Sequence, residues 1–340
     1  METRFVLNDK LTDEIIKQAA ETLKNGGLVA FPTETVYGLG ADGLNPKAVK
    51  SIFEAKGRPS DNPLILHISD VKQLEKIVKK VNETAKVLMD TFWPGPLTLV
   101  MEKTKAVPKE TSGGLDTVAV RFPAHPLAKK LIEYAGVPVA APSANTSGRP
   151  SPTKAEHVKE DMDGKIPWIL DGGSCDIGVE STVVDVTGDD PIILRPGKIT
   201  FEQISELFPK TSYDKHLTAQ NGEIFAPRSP GMKYKHYAPK GELVILSGTL
   251  SQIQCYIDKN CGEKSAVLTF DQYEISHNSV YSLGNIENLE EGCKAFFDHL
   301  RTFDGMGIEN IFAVMPLRTG IGFALYNRMF KAAGGKVIYL

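Results

Sequence analysis

The sequence predicts an α/β protein in two domains joined by a linker. Three observations carry this. Short apolar strand runs alternate with segments of helical period over residues 1–208. The pattern lapses into polar, Pro- and Gly-bearing sequence over 209–241. Strand and helix alternation then resumes over 242–340.

The elements follow in order. From Thr12, the apolar residues Ile15, Ile16, Ala19, Ala20 and Leu23 recur at helical spacing, and Gly26-Gly27 stops the helix before a buried strand over Leu28 to Phe31. Asn45-Pro46 starts a second helix with Val49, Ile52 and Phe53 on one face. The run Leu64 to Ile68 reads as a buried strand. Helical patterns cover Val71 to Val78 and Glu83 to Phe92, and Trp93-Pro94-Gly95-Pro96 ends the second. Strands are expected at Leu97 to Met101, Val118 to Phe122, Val137 to Ala141, Ile169 to Leu170, Thr182 to Val186 and Ile192 to Leu194. Helices are expected near Leu127 to Tyr134 and at Phe201 to Leu207. The second domain reads as strands at Leu243 to Leu246, Ala266 to Thr269, Ile311 to Val314 and Lys336 to Tyr339. Helices fall near Leu250 to Ile257, Glu287 to Arg301 and Phe323 to Ala333. Its rhythm is Rossmann-like, but Ser247-Gly248-Thr249 stands where a dinucleotide fingerprint would fall, so no dinucleotide is assigned.

Composition excludes several classes. Over 340 residues the chain is 41% hydrophobic and 24% charged, which is ordinary globular usage rather than that of a disordered chain. A net charge of −3 argues against a protein whose main role is coating nucleic acid. Cys175, Cys255, Cys261 and Cys293 form no metal-like or disulfide pattern, so a reducing, cytoplasmic compartment is expected. No run approaches the roughly 20 apolar residues that span a bilayer, and no membrane association is expected.

Polar and cationic residues gather near strand ends: Thr33, Thr35, Lys56, Arg58, Asn62, His67, Thr117, Arg121, Ser143, Asn145, Ser181, Thr182 and Arg195. Four cations, Lys56, Arg58, Arg121 and Arg195, suit a triphosphate, because Arg forks two phosphate oxygens and Lys adds a point charge. The chain carries no P-loop, kinase set or G-x-S-x-G elbow, and Cys175 has no adjacent His. Cys175 reads as a packed residue. Glu34 reads equally as a base, a metal partner or a turn-stabilising group. His67, on its own, reads as a core histidine.

Six ordered blocks then coincide with one family. They are Pro32-Thr33-Glu34-Thr35-Val36-Tyr37-Gly38-Leu39, Lys56-Gly57-Arg58-Pro59 with Asn62-Pro63-Leu64, Trp93-Pro94-Gly95-Pro96-Leu97-Thr98, Val120-Arg121-Phe122-Pro123, Ala141-Pro142-Ser143-Ala144-Asn145-Thr146-Ser147-Gly148 and Ser181-Thr182-Val183-Val184-Asp185. Together they resemble the YrdC-like family. The run Ser229 to Pro239 and the extra C-terminal domain resemble its long form. Glu180 departs from the proline that many relatives carry there.

The resemblance implies a twisted open α/β sheet with a large, basic concave face. It implies ATP-dependent synthesis of L-threonylcarbamoyladenylate from L-threonine and bicarbonate or carbon dioxide, with release of pyrophosphate. The product would serve threonylcarbamoyl modification of the adenosine next to the anticodon in tRNAs reading ANN codons. Carried residue by residue, the threonine site falls on Thr35, His67, Arg121, Ala141 and Ser181. The nucleotide site falls on Lys56, Arg58, Asn62, Thr117, Ser143, Asn145, Ser151, Arg195 and Tyr237, with Lys56 and Arg58 catalytic. Mg2+ would come with ATP, without a protein metal site. The linker would act as a lid through Tyr234, His236 or Tyr237, and the product would pass to a tRNA threonylcarbamoyl-transferring complex, with weak direct tRNA binding left open. Two alternatives are a hydrogenase-maturation type carbamoyltransferase, expected to carry acylphosphatase and zinc modules upstream, and an RNA-binding module with a basic cavity.

Overall fold

A computed structural model describes residues 1–60, 62–218 and 237–340. The chain divides into two compact units. The first contains the described residues of Met1–Ser147, Pro152–Asp176 and Glu180–Lys233; the second contains those of Gly148–Ser151, Ile177–Val179 and Tyr234–Leu340.

The first unit is built on eleven strands: β1 Arg4–Val6, β2 Val29–Phe31, β3 Gly38–Asp42, β4 Ile65–His67, β5 Leu97–Glu102, β6 Thr117–Arg121, β7 Val139–Ala140, β8 Trp168–Leu170, β9 Thr182–Asp185, β10 Ile192–Arg195 and β11 Ser212–Tyr213. They form one mixed sheet in the order β1-β8-β2-β3-β7-β4-β6-β5-β9-β10-β11. Of the ten pairings, β1 with β8, β8 with β2, β4 with β6, β5 with β9 and β10 with β11 are parallel, and the rest are antiparallel.

Alternation along the strands divides the apolar side chains between the faces. Leu64, Leu66, Leu97, Leu99, Val118, Val120, Val184 and Ile193 join a large core that includes Val49, Ile52 and Phe53 of the helix Pro46–Lys56 and Leu88 of Glu83–Phe92. Val29, Phe31, Val139 and Ala141 point the other way, into a core with Ile16, Ala19 and Leu23 of the helix Asp13–Lys24 and Leu131 and Ile132 of Pro126–Ala135. Ile65, Val100, Ala119, Val183 and Leu194 form a third cluster that draws no residue from any helix. This apolar strip floors the polar groups described below.

The helix Pro46–Lys56 positions two of them. Asn45 caps its start by accepting from the N–H groups of Lys47 and Ala48. Gly57 ends it in the left-handed region at φ 61°, and Arg58 N–H returns to Phe53 O at 2.9 Å. Lys56 therefore points inward as the last helical residue, and Arg58 starts the next loop.

The second unit is a five-stranded parallel sheet: β12 Glu242–Ser247, β13 Ser265–Thr269, β14 Val280–Ser282, β15 Asn310–Val314 and β16 Val337–Tyr339, in the order β14-β13-β15-β12-β16. Helices Leu250–Asn260, Glu290–Met306 and Ile321–Ala332 provide the crossovers. The strands β1, β3, β11 and β14, the helix Ala155–Met162, the short helices Lys109–Ser112 and Lys215–Thr218 and the 3-10 turn Asn8–Lys10 are additions to the expected elements, and the pattern over 71–78 resolves into a 3-10 turn followed by the short helix Leu74–Ile77.

Candidate active site

Strand register assembles the site. His67 pairs with Arg121, Arg121 with Thr98, Thr98 with Val183, and Val183 with Arg195. Cross-strand partners share a face, so these residues line up in one row beside the apolar strip, with Ser181 just beyond Thr182. Thr98 Oγ1 and Ser181 Oγ lie 2.8 Å apart, and Arg195 donates to Ser181 twice, from NH2 to Oγ at 3.0 Å and from Nε to the carbonyl at 3.0 Å. Two residues back along the strands lie Ile65, Ala119 and Val100, and two further back lies Thr117. Four residues of extended chain place Thr117 about 13 Å from Arg121 on the same face.

The segment after β2 folds over the Arg121 end, and Thr33, Glu34 and Thr35 are all buried. Thr33 Oγ1 donates to Val36 O at 2.7 Å, so it accepts from Thr35 Oγ1 at 2.8 Å, while Thr35 Oγ1 itself accepts from Arg121 NH1 at 2.9 Å. The Thr35 proton is thus committed to Thr33, and its remaining lone pair is an acceptor. Arg121 Nε donates to Gly95 O at 3.3 Å, and NH2 stands 2.7 Å from Glu34 Oε1. That last contact is a buried ion pair, and the Glu34 carboxylate also accepts from the Ala124 N–H.

The electrostatics follow from burial and charge. Burial works against ionisation of Glu34, but the Arg121 guanidinium overrides it and holds the carboxyl below its ordinary range. Burial pushes the His67 imidazole down to about 3, reinforced by the positive charge of Arg121, so this ring is neutral at working pH. His67 Nδ1 has no hydrogen-bond partner, and the ring meets the Phe31 ring edge-on at 6.4 Å. Burial raises the Cys175 thiol well above its usual range, which leaves it un-ionised and poorly nucleophilic.

Other predicted residues collect toward the Thr117 end of the strip. Ala141 N–H donates to Ile65 O at 3.0 Å, and Ser143 bridges to Gly38, so the chain leaving β7 runs along the start of β4. Lys56 Nζ donates to Ser143 O at 2.5 Å and to Asn145 O at 2.6 Å, and Lys56 O accepts from Ser147 N–H at 2.9 Å. Ser143 Oγ donates to Asn145 Oδ1 at 2.6 Å. A buried ammonium therefore shapes the loop 143–147. Asn62 is fully buried, and neither its amide oxygen nor its nitrogen has a partner. Its loop leans on Gly113, where an added Cβ would stand 2.8 Å from Pro63 N. Arg58 is half-buried at the start of that loop.

Two family models match the chain. One, described as Telomere recombination, covers residues 21–197; the other, described as Threonylcarbamoyl-AMP synthase, C-terminal domain, covers 199–334. The threonylcarbamoyl-AMP synthase of Bacillus subtilis is 49% identical over 339 residues, spanning 96% of this chain and 97% of its own length. The chain belongs to the threonylcarbamoyl-AMP synthase family. The Pyrococcus abyssi member is 45% identical over 98% of both chains. The crystal structure of Pyrococcus abyssi Sua5 complexed with L-threonine superposes with a TM-score of 0.93 at 44% identity, covering 99% of this chain and all of that one.

Within this threonylcarbamoyl-AMP synthase framework, Thr35, His67, Arg121 and Ser181 share the first row of the strip, while Asn62, Thr117, Ser143 and Asn145 lie toward its far end. Lys56 reaches the far end through its contacts with Ser143 and Asn145. Arg195 belongs to the first row by register. Ser151 and Tyr237 belong to the second unit. Tyr237 is buried there at φ 66°, with its ring 5.1 Å from that of Phe297 and the Arg328 guanidinium 5.8 Å from its centroid. Tyr234 and His236 lie outside the described residues. Sequence reasoning left out Thr98, because its place beside Arg121 comes from the pairing of β5 with β6. It left the role of Glu34 open because a carboxylate beside two threonines does not reveal an arginine 87 positions away.

Proposed function

We propose that this chain makes L-threonylcarbamoyladenylate from L-threonine, bicarbonate or carbon dioxide, and ATP, releasing pyrophosphate, for threonylcarbamoyl modification of tRNAs reading ANN codons. The observation that carries this reading is the single sheet face that bears the buried Arg121–Glu34 pair and, about 13 Å away, a polar cluster, with an apolar floor between.

Arg121 receives the threonine carboxylate, Thr35, His67 and Ser181 contact its polar groups, and Ala141 borders the site from the side of Ile65. Lys56, Arg58, Asn62, Thr117, Ser143, Asn145 and Arg195 hold the nucleotide. Threonine's amine forms a carbamate, whose oxygen attacks the α-phosphate as the bond to pyrophosphate breaks. No covalent enzyme intermediate is needed, so the protein aligns reactants and neutralises charge. Arg58 supplies charge directly. Lys56 acts as a point charge at the loop it shapes.

Among the described residues no group of three or more His, Cys, Asp or Glu is placed to hold a metal, and Glu34 is engaged by Arg121. In this reading Mg2+ enters bound to the triphosphate. No helix among the described residues is long and apolar enough to cross a membrane. In this reading the enzyme works in the cytoplasm and hands its adenylate to a tRNA threonylcarbamoyl-transferring complex. The test is an assay with ATP, L-threonine and labelled bicarbonate: pyrophosphate release that depends on threonine, together with a labelled adenylate, is the expected result.

A further inference from the structure

We propose that Thr98 is a positioning residue for the reaction: it donates its proton to Ser181, so that Ser181, which also receives Arg195, keeps its own proton for an anionic oxygen of the substrate. The inference rests on the reading of Ser181 as a residue that contacts L-threonine.

Thr98 stands in the middle of the row. Its partners across the sheet are Arg121 on β6 and Val183 on β9, and it is fully buried, so bulk water does not take its proton. Among the described residues its hydroxyl has one hydrogen-bond partner, Ser181 Oγ at 2.8 Å. Ser181 is itself buried, and Arg195 holds it through two bonds of 3.0 Å, from Nε to its carbonyl and from NH2 to its Oγ.

The direction of the bond between the two hydroxyls follows from counting protons. A guanidinium only donates, so one lone pair of Ser181 Oγ is already taken by Arg195. If Ser181 gave its proton to Thr98, the Thr98 proton would stay buried with no acceptor whether or not a substrate is bound. If Thr98 gives its proton to Ser181, both Ser181 lone pairs are filled, and the group left open is the Ser181 O–H. A substrate oxygen at Ser181 then completes the set. Two donors on one oxygen also fix where its proton points, and the positive charge of Arg195 makes that proton a stronger donor to an anionic oxygen. Thr98 acts through Ser181 and does not itself touch the substrate.

The experiment compares Thr98→Val, which keeps the shape and removes the hydroxyl, with Thr98→Ser, which keeps the hydroxyl. L-threonine binding to the full-length protein is measured by calorimetry, with steady-state pyrophosphate release in parallel. Thr98→Val should raise the Kd and the KM for threonine by about fivefold and leave the KM for ATP unchanged. Thr98→Ser should stay within about twofold of wild type in both substrates. In a Ser181→Ala background, Thr98→Val should have no further effect on threonine. Threonine binding that is unchanged or tightened by Thr98→Val overturns the proposal, because that is the result of a bond running from Ser181 to Thr98. An equal rise in both KM values, or a loss that persists in the Ser181→Ala background, also overturns it, since a merely structural role gives either. If Thr98→Val does not fold, Thr98→Ser decides: an about fivefold loss of threonine binding with the hydroxyl retained overturns the proposal. The expected split in threonine binding without pyrophosphate release would overturn the proposed reaction and leave Thr98 its role; release with threonine binding untouched by Thr98→Val would do the reverse.

Discussion

Arg121 shows how much one side chain can organise. Its three nitrogens address Gly95 O, Thr35 Oγ1 and Glu34 at once, which only a planar fork can do. Arg121→Lys keeps the charge and loses that geometry, so the KM for threonine is expected to rise by about tenfold or more while the KM for ATP holds; steady-state kinetics in each substrate checks the split. His67 gives a pH signature. Its folded value near 3 lies below the 6.5 of the free ring, so between these values the unfolded chain binds a proton that the folded chain does not. Stability is therefore lost as pH falls from 6.5 toward 3, by up to about 1.4 kcal/mol per pH unit. Glu34 acts in a lower window, being depressed below 4.5, whereas His125, depressed chiefly by burial, acts below 6.5 in the same sense as His67. Thermal melts of His67→Gln between pH 6.5 and 5 should show a shallower decline than wild type, and an unchanged slope would contradict a neutral, buried His67.

Elements place these side chains, and they also show what the sequence could reveal. The helix Pro46–Lys56 was legible because Asn45-Pro46 is a strong start signal and its apolar period is regular. β3 was not: Gly-Leu-Gly-Ala-Asp has poor strand propensity, and Gly40 is there because an added Cβ would meet Phe31 at 2.8 Å and Val139 at 2.9 Å, contacts made across the sheet. β1 is a three-residue strand whose pairing partner, β8, is distant in sequence, and β14 is a three-residue strand at the sheet edge, too short to show an alternation. The site residues were named correctly as polar groups near strand ends, yet their common face depends on register, which no single segment contains. Gly197 is a further example. A Cβ at that position would stand 2.4 Å from Thr182 N and 2.8 Å from Glu180 O, so Gly197→Ala should displace Ser181 and weaken threonine binding about tenfold, with a smaller effect on ATP, as measured by calorimetry. Lys56→Met tests the loop 143–147 in the opposite sense. Losing the donors to Ser143 O and Asn145 O should abolish most pyrophosphate release while threonine binding persists.

The whole molecule sets the balance between chemistry and nucleic-acid binding. A net charge of −3 provides no summed positive field, so tRNA is expected to bind more weakly than about 1 μM at physiological salt, by filter binding or anisotropy. Tighter binding, with no affinity for ATP or threonine, would favour an RNA-binding module. The first unit holds the strip and the Arg121–Glu34 pair. The second unit contributes Gly148–Ser151 and Ile177–Val179, segments continuous in sequence with the loop 143–147 and with Ser181. The central claim is tested most directly by incubating the full-length protein with ATP, L-threonine and labelled bicarbonate and quantifying both products. Equal amounts of pyrophosphate and labelled threonylcarbamoyladenylate, both absent without threonine, are predicted; pyrophosphate released without threonine, or no labelled adenylate, would contradict the account.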